Sequence, residues 1–162
     1  MKGHIQRLRA EIASDMQAFA ARIEELARLA SGVEASPPMQ AQVAVALHHA
    51  YGAVEAALAR IARTLEGGLP QGADWHQALL HSMTLNIDSV RPAVLSPATV
   101  GLLRRLLAFR HFFRHAYAVG WDFEQLDSLR RDALAVKKPL CEDLNRLDAF
   151  LVALAESMQK SD

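Results

Sequence analysis

Apolar residues return every three or four positions along most of this chain. Ile5, Leu8, Ile12, Met16, Phe19, Ile23, Leu26 and Ala30 form one stripe, with Arg9, Glu24, Glu25 and Arg28 off it. That period predicts an amphipathic helix over about residues 3–30. Ser31-Gly32 ends it, and Ser36-Pro37-Pro38 punctuates the gap. A second helix is expected from about Pro38 to Leu65, with Val43, Leu47, Tyr51, Val54, Leu58, Ile61 and Leu65 as its seam. Gly67-Gly68 through Gly72 breaks it.

Asp74 is a good N-cap for a third helix from Trp75 to about Val90. Ser96 caps a fourth, which starts at Pro97 and closes at Gly120 after about Val119. Asp122 caps a last helical region reaching about Met158. Pro139 lies inside it, so a kink or break is expected near Lys137-Lys138. Strand alternation, internal repeats and low-complexity tracts are missing from the sequence. The pattern therefore predicts an all-α fold, an antiparallel bundle of five or six helices joined by short loops.

Composition agrees. Half of the 162 residues are hydrophobic (51%) and only 6% are aromatic, which favours helix. The length fits one domain, 1–162, with a proper core. A formal net charge of zero argues against nucleic-acid binding through a broad basic surface. Any RNA contact then falls to a local cluster, and self-association is less opposed. The single cysteine, Cys141, allows no intrachain disulfide and reads as an inert buried thiol. The charged N-terminus is not of signal-peptide type, and no apolar run is long enough for a membrane span. These features predict a soluble, cytoplasmic protein.

The chemistry concentrates in Arg110-His111-Phe112-Phe113-Arg114-His115-Ala116-Tyr117. A fixed cation, an imidazole titrating near neutrality and a phenol share about two helical turns. On a wheel with Arg110 at zero, Arg114 falls at about 40°, Tyr117 at about −20°, His111 at about 100° and His115 at about 140°. Phe109, Phe112, Phe113 and Ala116 fall opposite, on the expected core side. Leu103 and Leu107 project into the polar sector one turn upstream, as a symmetric helix–helix interface would require. An ordinary solvated face is the plain alternative, and the bare Arg–His spacing recurs at Arg104 and Arg105 relative to His111.

These residues resemble the HEPN superfamily, and in particular the HepT-like ribonuclease toxins, whose motif is Arg-x4-His-x-Tyr. Here it stands as Arg110, His115 and Tyr117, with the polar His111 directly after the arginine. Tyr51 to Glu55 with Leu58 and Ile61, Glu66 to Pro70, Asp74 to Leu80, and Arg91 to Pro97 are similar to the body of such domains. The resemblance covers about residues 38–155, with residues 1–35 as an N-terminal helical extension.

The resemblance implies an all-helical HEPN bundle that homodimerises through its motif helices. It implies a metal-independent ribonuclease centre needing no cofactor, acting on an RNA substrate. It further implies a toxin opposed by a minimal nucleotidyltransferase antitoxin that adenylylates Tyr117. His115 can serve as base or acid near neutral pH, and Arg110 suits a phosphate. Because the two lie about 140° apart on one helix, the expected site draws them from two copies, with His111 and Arg114 as helpers in phosphate binding. A catalytically inactive HEPN module that binds RNA, a nucleotide or a partner protein is the alternative. A plain helical scaffold is a third class. His48-His49, His76 and His81 lack metal-ligand spacing. Trp75 reads as a core anchor, and His76 as a satisfied core or boundary histidine.

Overall fold

The computed structural model describes residues 2–29, 36–115 and 122–159. The elements are α1 (Lys2–Arg28), α2 (Pro37–Ile61), a π-helical turn (Ala62–Glu66), α3 (Trp75–Ser82), α4 (Pro97–His115) and α5 (Phe123–Gln159). Among the described residues the only strand-like pairing is an isolated bridge between Ile87 and Arg91, so the all-α expectation holds. No helix among them is long and apolar enough to cross a membrane.

The stripe of α1 enters the core as its period requires. Ile5, Leu8, Ile12, Phe19, Ile23 and Leu26 are buried, against α2 and α5. Ion pairs flank that apolar contact, from Arg9 to Asp148 of α5 at 2.5 Å and from Arg60 of α2 to Asp15 at 2.8 Å. Helix α2 is the central element, with Val43, Leu47, Tyr51, Val54, Leu58 and Ile61 all buried. Its last turn widens to π spacing and stops at Gly67, whose φ of 81° suits a residue without a Cβ. Helix α4 packs on α2, α3 and α5.

Three sequence expectations are corrected. The third helix ends at Ser82, not near Val90. Side chains capture its C-terminal carbonyls: Ser82 Oγ donates to Leu79 O, Thr84 Oγ1 to His81 O, and buried Arg91 to Ser82 O and Leu85 O. The break expected near Pro139 is absent. Helix α5 runs through it because Val136 and Leu140, both fully buried, hold the apolar seam in register on either side. Cys141 is exposed rather than buried, since it falls about 100° away from the Leu140 seam.

Two expected caps are present. Ser96 Oγ accepts from the amide of Thr99 at 3.4 Å, and Asp122 Oδ1 accepts from the amide of Glu124 at 2.9 Å. Asp74 occupies the N-cap position of α3 without a side-chain bond to its amides. A carboxylate from α5 reinforces the start of α4. Asp143 Oδ2 accepts from Ser96 N at 2.8 Å, Ser96 Oγ at 3.1 Å and Thr99 Oγ1 at 2.5 Å, and Oδ1 pairs with Arg146.

Burial alone would raise the Asp143 carboxyl. The hydrogen bonds from Thr99, Ser96 and Arg146 outweigh it and hold the group below the ordinary carboxylate value. A depressed native pKa means stabilisation that is complete above the unfolded value, about 4, and lost as pH falls through the folded one. Asp143→Ala should therefore destabilise the fold by about 2–3 kcal/mol at neutral pH. Urea melts should show the difference between variant and parent shrinking below about pH 4; a constant difference down to pH 2 would refute the linkage.

Candidate functional site

The cluster starts from a carboxylate on an apolar seam. Glu55 lies one turn after Tyr51 and one turn before Leu58, so its place on α2 faces inward; it is 6% exposed. A charge so placed needs partners. Two neighbouring helices supply them. Glu55 Oε1 pairs with Arg110 Nη2 of α4 at 3.2 Å, and Oε2 meets His76 Nδ1 of α3 at 2.6 Å. Facing a carboxylate, that Nδ1 carries the hydrogen and donates it.

Arg110 is confined on two further sides. Its guanidinium carbon lies 5.9 Å from the centre of the Tyr51 ring, a cation–π distance. A Cβ built on Gly52 would come within 3.2 Å of Arg110 Nη1, so the glycine gives the guanidinium its room. The arginine side chain remains 18% exposed. Burial, reinforced by the Glu55 charge and only partly opposed by Arg110, raises the Tyr51 phenol well above its ordinary value. Tyr51 thus stays protonated at physiological pH and acts as a wall, not a proton carrier.

The imidazoles extend the cluster. His76 stacks on half-buried Trp75 with ring centres 3.8 Å apart. The ring of His111 meets His76 edge-on at 5.5 Å. His111 is half-buried and follows Arg110 directly, so one turn of α4 presents a guanidinium and an imidazole to the same corner. His76 is the satisfied boundary histidine that the sequence implied.

Of the predicted site residues, the structure thus brings Arg110 and His111 together around Glu55 and His76. The side chains of Arg114 and His115, and Tyr117 altogether, lie outside the described residues. Sequence reading assigned no role to Glu55. Its signal was present all the same, as a carboxylate spaced with Tyr51 and Leu58 on a buried stripe.

The expected leucine interface is overturned. Leu103 and Leu107 are 0% and 3% exposed within the chain's own core. Helices α2, α3 and α5 cover α4 on several sides, so these leucines are already satisfied. Conversely Phe112, expected inside, is 50% exposed. It lines an open cleft of about 390 Å³ between α4 and α5, with Arg105, Gln125 and Ser128 nearby.

Removing the central carboxylate should be costly. Glu55→Ala leaves a buried imidazole and a guanidinium without their acceptor, and should destabilise the chain by about 3–5 kcal/mol in denaturant melts. Glu55→Gln retains a hydrogen-bonding oxygen and should fall between it and the parent. Equal stability of parent and Glu55→Ala would show that the pair holds nothing together.

Residues 42–151 match a family described as HepT-like protein. That segment contains Glu55, His76, Arg110 and His111 and leaves out α1, although α1 shares the same core. No curated protein and no solved structure matches the chain. Family match and all-helical build agree, and the chain belongs to the HepT-like proteins, with a HEPN-type domain.

Proposed function

We propose that this protein is the toxin of a toxin–antitoxin pair and cuts RNA as a metal-independent endoribonuclease. The observation that carries the proposal is the way Arg110 is held. A buried carboxylate, a phenol ring and a side-chain-free backbone position fix its guanidinium at a partly exposed corner. A preorganised cation of this kind stabilises charge developing on phosphoryl oxygens without reorganising during the reaction.

The reaction needs a base for the 2′-hydroxyl and an acid for the leaving 5′-oxygen. His115 supplies an imidazole for one transfer, and His115 of a second copy supplies the other. The 2′-oxygen attacks phosphorus, the bond to the 5′-oxygen breaks, and the products are a 2′,3′-cyclic phosphate and a 5′-hydroxyl. Arg110 binds the non-bridging oxygens, with His111 and Arg114 assisting. The partner is a minimal nucleotidyltransferase antitoxin. It transfers AMP to Tyr117, placing a bulky anion beside the guanidinium groups and blocking substrate.

One observation favours a second reading, a binding module without catalysis. Glu55 already neutralises Arg110 inside the chain, which weakens its pull on a phosphate.

The readings separate in an assay of the purified protein on single-stranded RNA. Arg110→Ala should lower kcat about 10² to 10³-fold, and His115→Ala should abolish cleavage with the fold retained. Gly52→Ala should keep or slightly raise the melting temperature, because alanine suits a helix better by up to about 1 kcal/mol. Its methyl displaces Arg110 Nη1, so kcat should drop severalfold. Cleavage unaffected by His115→Ala would sink the catalytic assignment, and an inert parent protein that still binds RNA would favour the module.

The regulatory half has its own readout. Intact-mass and peptide spectrometry after co-expression with the nucleotidyltransferase should find AMP on Tyr117. An unmodified tyrosine in fully neutralised protein would refute it.

A further inference from the structure

A groove of about 560 Å³ runs between α3 and α4, beside the Arg110 corner. Its two walls are regular. Asp74, Gln77 and His81 follow one row along α3, at spacings of three and four residues. Arg104 and Ala108 follow one row of α4, and the next positions on that row are 111 and 115. Leu107, nearly fully buried, gives the groove an apolar floor.

Among the described residues, the polar side chains of this groove have no partner. Arg105, the neighbour of Arg104, is bound to Asp132 at 2.9 Å and to Ser128. Arg104 has no such carboxylate among the described residues. Nor do the side chains of Asp74, Gln77 and His81 make any hydrogen bond or ion pair there. A guanidinium, an amide, an imidazole and a carboxylate thus surround an apolar floor with their bonding capacity open.

We infer that this groove is a subsite for one nucleotide of the RNA strand, next to the position cut. The inference rests on the ribonuclease reading above and deepens it. The volume lies in the range of small-ligand pockets. Arg104 takes a phosphate, while Leu107 and Ala108 face the apolar plane of a base. Gln77 and Asp74 offer a donor and acceptors to the base edge and ribose hydroxyls. One guanidinium against one carboxylate suits a singly charged phosphodiester better than a polyphosphate. Arg104 lies about 9 Å along the helix axis and about 120° round it from Arg110, on the row of His111, so a strand that follows this row from Arg104 reaches the corner at His111. The row it follows leads towards position 115.

The test uses the full chain with a single-stranded RNA whose riboses are 2′-O-methylated, which binds without being cut. Fluorescence anisotropy would compare the parent with Arg104→Gln and Gln77→Ala, both exposed positions where melting temperatures should not move. Each variant should raise Kd about fivefold to tenfold. Arg104→Gln should also flatten the slope of log K against log salt by about 0.7. On cleavable RNA the same variants should raise KM with kcat within about twofold, as loss of uniform binding does. Unchanged Kd and KM in both variants, with cleavage still dependent on Arg110, overturns the subsite and leaves the ribonuclease reading standing. Binding that depends on Arg104 in a protein that cuts nothing supports the groove and removes the ribonuclease. AMP that binds as tightly as the oligonucleotide, again through Arg104, overturns the strand assignment in favour of a free nucleotide.

Discussion

A carboxylate placed inside an apolar helix seam must be answered by hydrogen-bonded partners, and here that requirement organises the polar corner of the molecule. Glu55 divides its two oxygens between helices, one to Arg110 of α4 and one to His76 of α3. Neither contact alone satisfies the group, because the ion pair leaves lone pairs on the other oxygen without a donor. Three helices are therefore fixed relative to one another at one point. One of the residues that fixes them, Arg110, also presents its guanidinium at a partly exposed corner, with the imidazole of His111 beside it. Structure and proposed chemistry are coupled through this carboxylate, and substitutions of Glu55 will move both.

The same constraint explains why Arg110 is no ordinary surface arginine. A solvated guanidinium samples many rotamers and gives up that freedom when it binds a phosphate. Arg110 has lost it already in the folded chain, to Glu55, the face of Tyr51 and the space above Gly52. Under the proposed function, phosphate binding would start from a prepared geometry, at the expense of partial neutralisation by the carboxylate. The balance favours orientation over attraction, a trade that serves a transition state better than a ground state.

Most of the fold was legible because helical period is a strong signal. The seams of α1 and α2 entered the core almost residue for residue. Ends were legible only where one side chain decides them, as at Ser96 and Asp122. The end of α3 was not, because Arg91, nine residues downstream of Ser82, takes its carbonyl. Pro139 misled because the packing of Val136 and Leu140 outweighs one missing amide. In the candidate site, Arg110 and His111 were singled out through the motif, and the fold places them at one corner. The role of Glu55 could not, since its meaning depends on α3 and α4 arriving from 21 and 55 positions away in sequence to meet it.

The wheel of α4 failed in an instructive way. It took the phenylalanines as the inner face, which holds for Phe109 and in part for Phe113 but not for Phe112, and the row of Arg110 as the outer one. Burial runs otherwise: Leu103 and Leu107 lie inside within about 60° of Arg110, whereas Arg104, Ala108 and Phe112 are exposed at about 120° to 200°. Arg110 thus points at the chain's own interior, and Glu55 is what it meets there. The position of His115 lies about 140° round from Arg110 on the same wheel. On a regular helix the guanidinium and the motif imidazole belong to opposite sides, so one copy by itself cannot close both on a single phosphodiester. With the leucine seam gone as an argument for pairing, the proposed ribonuclease rests its second copy on this angular mismatch, because a two-fold arrangement would let the histidine of one chain reach the anchored arginine of the other.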